Sequence, residues 1–155
     1  MTNSQKQTKV HDPFDLGRFE RAQEDVFDEA LAEIRSGQKR SHWMWFIFPQ
    51  IDGLGFSPTS RHFAIKSRAE AEAYLSHPIL GPRLRVCADV LLAIEGRTAH
   101  EIFGSPDDMK LKSCMTLFAQ ITPPGSVFAR VLANYFGGEP DSQTLRLLGL
   151  SRQPD

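Results

Sequence analysis

Residues 41–57 read Ser-His-Trp-Met-Trp-Phe-Ile-Phe-Pro-Gln-Ile-Asp-Gly-Leu-Gly-Phe-Ser, a run that contains both tryptophans of the chain, Trp43 and Trp45. Its apolar centre must be buried, yet groups that can hydrogen bond or titrate are fixed at both of its ends. These flanking residues are Lys39, Arg40 and His42 on one side, and Gln50, Asp52, Gly53, Gly55 and Ser57 on the other. The segment could therefore form one wall of a binding pocket, although it indicates no particular reaction.

The sequence of the segment is compatible with two local structures. Residues 43–48 are compatible with a short helix that begins at Ser41 or with a buried strand, because periodicity cannot separate the two in so short an apolar run. We favour the helix, since no partner strand is evident elsewhere, and Pro49 would end it. Residues 51–59 are predicted to form a loop, in which Gly53 and Gly55 allow backbone conformations that are closed to other residues.

Hydrophobic residues recur at helical spacing along most of the chain, which predicts a mainly all-α, compact single domain with short helices and Gly/Pro loops. The longest predicted helix covers residues 15–35 and ends at Gly37. Within it, Gln23 lies on the apolar face, where a core hydrogen bond is favoured over a ligand contact. The other predicted helices cover residues 59–65, 67 to about 77, 79 or 82 to 95, 105 to before the break at 123–125, about 128–135, and 142–148.

Two of these helices carry specific signals at their starts. Ser67 and Glu70 have the spacing of a capping box, in which the side chain of each residue accepts a hydrogen bond from the backbone N–H of the other. Ser105 is a typical N-cap residue, followed by Pro106 in the first turn and by two acids that complement the helix dipole. Both helices are therefore expected to begin at these serines.

Length and composition restrict the class of protein. A chain of 155 residues fits one domain, which we place at residues 13–150, between a disordered N-terminal tail at 1–12 and a flexible C-terminal tail at 151–155. The formal net charge of −1 argues against nucleic acid or an anionic membrane as a partner. The apolar run at 43–48 is too short to span a bilayer, and the first residues lack the apolar core of a signal peptide. A cytoplasmic location is therefore expected.

No catalytic, phosphate-binding or metal-binding motif of high specificity occurs in the sequence. Cys87 and Cys114 have no cysteine neighbour and no histidine at metal-ligand spacing, and both fall on apolar helix faces. We therefore predict that both cysteines belong to the core, and that the protein uses no metal and no cofactor.

Two regions combine side chains that could bind a ligand. In the aromatic segment, indole faces can stack on flat ligands, Lys39 and Arg40 could hold a phosphate or carboxylate, and at least one tryptophan should be purely a core residue. The second region is the helix that starts at Ser105, where an ion pair between Asp108 and Lys112 is expected at i, i+4 spacing. Other polar residues of this helix are Asp107, Lys110, Ser113 and Thr116, and the last two could present two hydroxyls to one site.

Five motifs carry a resemblance to a known family. They are Ser41-His-Trp-Met-Trp-Phe-Ile-Phe-Pro-Gln50, Gly53-Leu-Gly-Phe-Ser57, His77-Pro-Ile-Leu-Gly81, Phe103-Gly-Ser-Pro-Asp107 and Lys112-Ser-Cys-Met-Thr-Leu-Phe118. Over about residues 14–148 the chain resembles domain of unknown function 1810, a family of small, mainly helical bacterial domains, sometimes labelled calpastatin-like, with no established activity. The resemblance implies that the signature positions include Gln23, Lys39, His42, Trp43, Trp45, Pro49, Gln50, Ser57, Ser60, Lys112, Ser113 and Thr116.

A looser likeness, in the helical pattern around residues 115–132, is to domains that process ADP-ribose-linked metabolites, and it favours a nucleotide-like ligand. We therefore predict that the domain binds a small nucleotide-like or other anionic metabolite in a pocket between the aromatic segment and the helix that starts at Ser105. Hydrolysis of that metabolite is left open, with His42 or Asp108 as the candidate general acid or base. The candidate ligand-binding residues are Gln23, Lys39, His42, Trp43, Trp45, Gln50, Ser60, Lys112, Ser113 and Thr116.

The alternative is a non-enzymatic module for protein–protein interaction or self-association, which would allow a homodimer. In that case Gln23 and Gln50 stabilise the fold, and an exposed aromatic side chain of the segment belongs to an interface. A helical nucleic-acid binder is disfavoured, because the sequence has neither a positive net charge nor a basic stripe.

Overall fold

The computed structural model describes residues 12–149. The predicted tails lie outside the described residues, except that Asp12 is described and accepts hydrogen bonds from the backbone N–H groups of Leu16 and Gly17 at 2.7 and 2.9 Å. Residues 12–149 form an all-α domain, as predicted. Its ten helices are α1 Gly17–Gln23, α2 Phe27–Ser36, α3 Met44–Ile47, α4 Pro58–His62, α5 Arg68–Ser76, α6 Leu80–Ala93, α7 Ala99–Phe103, α8 Asp107–Gln120, α9 Val127–Phe136 and α10 Ser142–Leu147.

The single helix predicted at residues 15–35 is wrong, because the chain breaks it into α1 and α2. The break lies at residues 24–26, where the Val26 N–H donates to the carbonyl of Gln23 at 3.0 Å and Val26 leaves the helical region at φ −120°. The two halves then pack on different neighbours, α1 on α3 and α2 on α6, which one straight helix could not do. Gly37 ends α2 in the left-handed conformation at φ +77°, as expected.

The aromatic segment combines one helical turn with an extended stretch. Its helix, α3, is confirmed but covers only four residues. Beyond it, Ile51 forms a parallel β-bridge with Ile65, with the Asp52 N–H bonded to the Ile65 carbonyl and the Ile65 N–H bonded to the Gln50 carbonyl, both at 2.8 Å. The bridge fixes the start of the glycine loop, by which we mean residues 52–57.

Helix starts follow the sequence signals only in part. Ser67 caps α5 by accepting from the Glu70 N–H at 3.1 Å, but the Glu70 carboxylate accepts from the Lys66 N–H instead of closing the box. The helix expected to start at Ser105 begins at Asp107 with no side-chain cap, after a cis peptide bond between Ser105 and Pro106. A helix that the sequence did not predict, α7, opens with a complete capping box formed by Thr98 and Glu101.

The core lies where α9 packs against both α6 and α8, with α5 and α2 against the remaining sides of α6. Cys87 and Cys114 are fully buried there as thiols, which confirms their predicted core position. Burial raises the pKa of Cys87 to about 12 and the pKa of Cys114 well above its usual value. None of the helices within residues 12–149 has the length and apolar character needed to cross a membrane.

Candidate functional site

Glu33 fixes the start of the aromatic segment. Its carboxylate accepts hydrogen bonds from the backbone N–H groups of Arg40 and Ser41 at 2.8 and 3.1 Å, from the Ser41 hydroxyl at 2.6 Å and from the Trp43 indole at 2.8 Å. Burial by itself would raise the pKa of Glu33, but the hydrogen bonds from Ser41, Arg40 and Trp43 outweigh it and lower the pKa to about 2. Glu33 is therefore ionised and holds the chain at residues 40–43 in place.

Trp43 is the core tryptophan of the pair. Its side chain is fully buried and packs against Phe48 and Phe103, with ring centroids 6.3 and 6.4 Å away. Because its indole N–H is already bonded to Glu33, this residue has no polar group left for a ligand. Trp45, in contrast, is only half-buried.

Gln23 makes the core hydrogen bonds that the sequence favoured. Its amide nitrogen donates to the Phe46 carbonyl at 2.8 Å and to the Tyr74 hydroxyl at 3.1 Å, and its amide oxygen accepts from the Arg83 guanidinium at 3.2 Å. Burial raises the pKa of Tyr74, so its hydroxyl stays protonated. Gln23 thus joins α1 to α3, α5 and α6.

Two lysines and one carboxylate form an ion-pair cluster beside the tryptophans. Asp107 lies 2.9 Å from Lys39 Nζ and 3.4 Å from Lys110 Nζ, one lysine on each carboxylate oxygen. Lys39 Nζ also lies 5.0 Å from the centroid of the Trp43 ring, and Lys110 Nζ lies 5.0 Å from that of Trp45, both within cation–π range. We call these three residues the Lys39–Asp107–Lys110 cluster; it connects the start of α8 to the aromatic segment.

Trp45 also lines a small cavity, which we call the Trp45 cavity. Three predicted ligand-binding residues meet there, namely Trp45, Gln50 and Ser60. The other lining residues are Ile51, Leu54, Gly55, Phe63 and Ala64. Its volume of about 10 Å³ is close to what a single water molecule needs. The β-bridge and the glycine loop thus bring the Gln50 amide, the Ser60 hydroxyl and the aromatic rings of Trp45 and Phe63 close together.

The glycine loop makes two close approaches to neighbouring helices, one of them at this cavity. A Cβ atom at Gly55 would lie 2.7 Å from Ser60 Oγ, which is too close for any side chain there. Gly53 has a left-handed φ of +109°, and a Cβ at this position would lie 3.1 Å from the Leu147 side chain. Both glycines are therefore needed for the loop to lie against α4 and α10.

Three of the predicted site residues lie on α8, away from the Trp45 cavity. Ser113 is buried and donates to the Met109 carbonyl at 3.2 Å, while the buried Thr116 hydroxyl accepts from the Asp141 N–H at 2.8 Å. The two hydroxyls are thus engaged separately and do not open onto a shared pocket. Lys112 pairs with Glu139 at 3.6 Å, so the expected ion pair between Asp108 and Lys112 is wrong.

A model of one protein family, described as protein of unknown function (DUF1810), matches residues 13–148. The chain belongs to the DUF1810 family. The DUF1810 domain is also similar to the conserved hypothetical protein Rv1873 from Mycobacterium tuberculosis, whose crystal structure is known at 1.38 Å. That structure is 51% identical with a TM-score of 0.87, over 89% of this chain and 99% of that one. A comparison with curated proteins found no match.

The two catalytic candidates of this DUF1810 domain lie outside the Trp45 cavity. His42 is exposed, and Asp108 lies 3.5 Å from His100, with one carboxylate oxygen accepting from the Met109 N–H at 2.9 Å. A catalytic role for either residue stays a prediction. Within residues 12–149, no three His, Cys, Asp or Glu side chains are grouped as a metal site would require.

Larger concave surfaces of the DUF1810 domain contain none of the predicted site residues. One of them, with a volume of about 690 Å³, is an open groove between the segment 12–21 and two residues of the α5 region, Ala73 and His77. Sequence reasoning also did not select Glu33, although it follows Ala30 by three positions and Val26 by seven. That spacing places an acid on the buried face of α2 and was the available signal.

Proposed function

We propose that this domain binds a small anionic metabolite beside Trp45, where the Lys39–Asp107–Lys110 cluster adjoins the Trp45 cavity. The observation that carries the proposal is the double role of the Trp45 indole. Its ring lies 5.0 Å from Lys110 Nζ, and the same residue lines the cavity that contains Gln50 and Ser60. A ligand with an ionic group and a flat group could engage both at once.

The charge of the cluster supports an anionic ligand. Lys39 and Lys110 carry one positive charge each against the single carboxylate of Asp107, which leaves the cluster with a net formal charge of +1. Both lysines pair with Asp107, but the Lys39 side chain is only 8% exposed, whereas the Lys110 side chain is 22% exposed. Lys110 is therefore the cation that an incoming phosphate or carboxylate would reach.

These side chains support the predicted binding of a metabolite but not its hydrolysis. The residues that line the Trp45 cavity include no His, Cys, Asp, Glu or Lys, so no general acid or base adjoins the part of the ligand that would enter it, and at the anion site Asp107 is already paired with Lys39 and Lys110. We therefore propose a binding domain and assign no hydrolytic step to it.

A thermal-shift experiment tests this function with inorganic phosphate, AMP, ADP and ADP-ribose as probes. A probe present at about 100 times its Kd should add about 2.7 kcal/mol to the free energy of unfolding. Lys110→Ala should abolish the shift, because it removes the reachable cation. Arg130→Ala is the matched control, since the side chain of this exposed arginine bonds only to the Gly125 carbonyl among residues 12–149. Equal shifts in the wild type and Lys110→Ala would contradict the proposal.

A second candidate function, self-association, is favoured by one specific observation. Phe56 in the glycine loop is 73% exposed, and Leu147, which contacts the same loop at Gly53, is 45% exposed. Two such apolar side chains on adjoining surfaces are typical of an interface core. Light scattering coupled to size-exclusion chromatography would detect a dimer that Phe56→Ser weakens; a concentration-independent monomer would contradict this function.

A further inference from the structure

The chemistry of the Trp45 cavity differs from that of the ion-pair cluster beside it. Five of its eight lining residues have apolar or aromatic side chains, namely Trp45, Phe63, Ile51, Leu54 and Ala64. The polar side chains in the lining are Gln50 and Ser60, and none of the lining residues is charged. An anion that entered this cavity would lose its hydration without gaining a counter-charge, which is costly. The group that fits is neutral, flat and polar at its edge.

The two polar side chains are available for such a group. Gln50 is half-buried, and no buried side-chain nitrogen or oxygen within residues 12–149 lacks a hydrogen-bond partner, so its amide is open to solvent and can supply two donors and an acceptor to a ligand. Ser60 Oγ accepts from the Ser57 hydroxyl at 3.0 Å, while its backbone N–H donates to Ser57 Oγ at 3.1 Å. The hydroxyl proton of Ser60 is therefore left to donate to a ligand.

We infer that the cavity receives an uncharged heterocyclic ring, so that the ligand class is a nucleoside monophosphate, with the ring beside Trp45 and the phosphate at Lys110. This inference rests on the proposed function, because it takes binding of the phosphate at Lys110 as given and adds the ring of the same ligand. Trp45 and Phe63 supply stacking surfaces, and Gln50 with Ser60 supplies hydrogen bonds to the ring edge.

Entry of a ring requires the glycine loop to move. The cavity of about 10 Å³ holds about one water molecule, which is far less than a six-membered ring occupies. Leu54 lines the cavity from the loop and lies between Gly53 and Gly55, the two positions with the greatest backbone freedom. On this inference the glycine loop is a lid, which carries Leu54 outward and lets the ring take its place.

Isothermal titration calorimetry with AMP, GMP, CMP and UMP, and with ribose 5-phosphate as the probe without a ring, tests the inference. The best nucleotide should bind at least about tenfold more tightly than ribose 5-phosphate, which corresponds to about 1.4 kcal/mol. Gln50→Ala and Ser60→Ala should each reduce nucleotide affinity toward that of ribose 5-phosphate and leave ribose 5-phosphate affinity unchanged. Circular dichroism checks that both variants fold.

Wild-type measurements keep the inference falsifiable if either variant fails to fold. Stacking of a ring should quench Trp45 fluorescence with the nucleotide and not with ribose 5-phosphate, and hydrogen exchange at residues 52–57 should change in the same pattern. If nucleotides and ribose 5-phosphate bind equally and Lys110→Ala abolishes both, the ring site is overturned while the anion site stands. If no probe binds the wild type, both the anion site and the ring site are overturned.

Discussion

The Glu33 carboxylate shows how one buried charge can position a whole segment. It accepts four hydrogen bonds from Arg40, Ser41 and Trp43, two of them from backbone N–H groups, one from the Ser41 hydroxyl and one from the Trp43 indole. A buried carboxylate is stable only when its oxygens are so occupied. Trp45 lies two residues after the anchored Trp43, so Glu33 helps to place the proposed site without contacting a ligand.

We expect Glu33→Gln to lower the free energy of unfolding by about 2–3 kcal/mol, because a neutral amide replaces a charged acceptor and turns a donor toward the N–H groups. Urea denaturation measures the change. Glu29→Gln, an exposed acid on the same helix, serves as the control and should change stability by less than about 0.5 kcal/mol. Equal stability of both variants would show that Glu33 does not anchor the segment.

The same carboxylate predicts a dependence of stability on pH. Its pKa is about 2 in the folded protein against 4.5 for an ordinary glutamate, so the unfolded chain takes up the proton first as pH falls. The stabilisation is complete above about pH 5 and is lost progressively toward pH 2, by at most about 3 kcal/mol. Glu33→Gln should flatten the pH profile in that window; parallel profiles would contradict the assignment.

At the scale of elements, the helices could be predicted from local sequence patterns, but the breaks between them and their packing contacts could not. Hydrophobic spacing predicted the helical regions, and Gly37 and Ser67 marked helix ends correctly. The break between α1 and α2 escaped the sequence because it serves packing on α3 and α6, which are distant in the chain. The Glu70 carboxylate likewise does not complete its local capping box, and one of its oxygens accepts a hydrogen bond from Arg18, 52 residues away.

The joint between α5 and α6 depends on one glycine. A Cβ at Gly81 would lie 2.1 Å from the Leu75 carbonyl oxygen, a backbone atom that cannot move without shifting α5. Gly81→Ala should therefore destabilise the protein by about 1–3 kcal/mol, despite the better helix propensity of alanine. Chemical denaturation measures the loss.

Gly17→Ala is the matched control, because it also lies in the first turn of a helix. A Cβ there would lie 2.9 Å from the Arg21 guanidinium, the far end of a flexible side chain that can move aside. This change should be neutral or stabilise by up to about 1 kcal/mol. If both alanine variants were equally stable, the close approach of α5 and α6 would not require Gly81.

At the scale of the whole molecule, Arg18 joins three separate parts of the chain. Its guanidinium donates to the carbonyls of Phe14, Asp15, His62 and Ala64 at 2.7 to 2.9 Å, and it lies 2.7 Å from a carboxylate oxygen of Glu70. Both side chains of the Arg18–Glu70 pair are nearly inaccessible, at 6% and 2% exposure. The pair therefore fixes α1 relative to α4 and α5.

We expect Arg18→Met to cost about 3–5 kcal/mol, because it leaves the Glu70 charge buried without its partner. Arg21→Met is the control: its side chain is 70% exposed, its carboxylate neighbour Asp15 is 3.7 Å away, and the change should cost less than about 0.5 kcal/mol. Thermal unfolding compares the two. A small effect of Arg18→Met would indicate that backbone packing alone holds these segments together.

The region of the chain that forms the candidate site could be predicted from the sequence, but the arrangement of its side chains could not. The aromatic segment and the helix after Ser105 do meet, through the Lys39–Asp107–Lys110 cluster. Which tryptophan remains partly accessible, and which polar residues share a cavity with it, depends on contacts between residues far apart in the chain, such as the bridge of Ile51 to Ile65. Local patterns carry no information on such contacts, and for that reason Ser113 and Thr116 were grouped with residues that they do not adjoin.

The burial of both cysteines also makes the domain a convenient subject for site-specific labelling. The chain has two cysteines, both inside the core, and a thiol whose pKa is raised to about 12 is almost entirely protonated at neutral pH. A maleimide reagent should therefore leave Cys87 and Cys114 unmodified in the folded protein. A cysteine introduced in place of Phe56 would then accept a single spin label or dye, which would report whether the glycine loop moves when a nucleotide is added, with no need for a cysteine-free background.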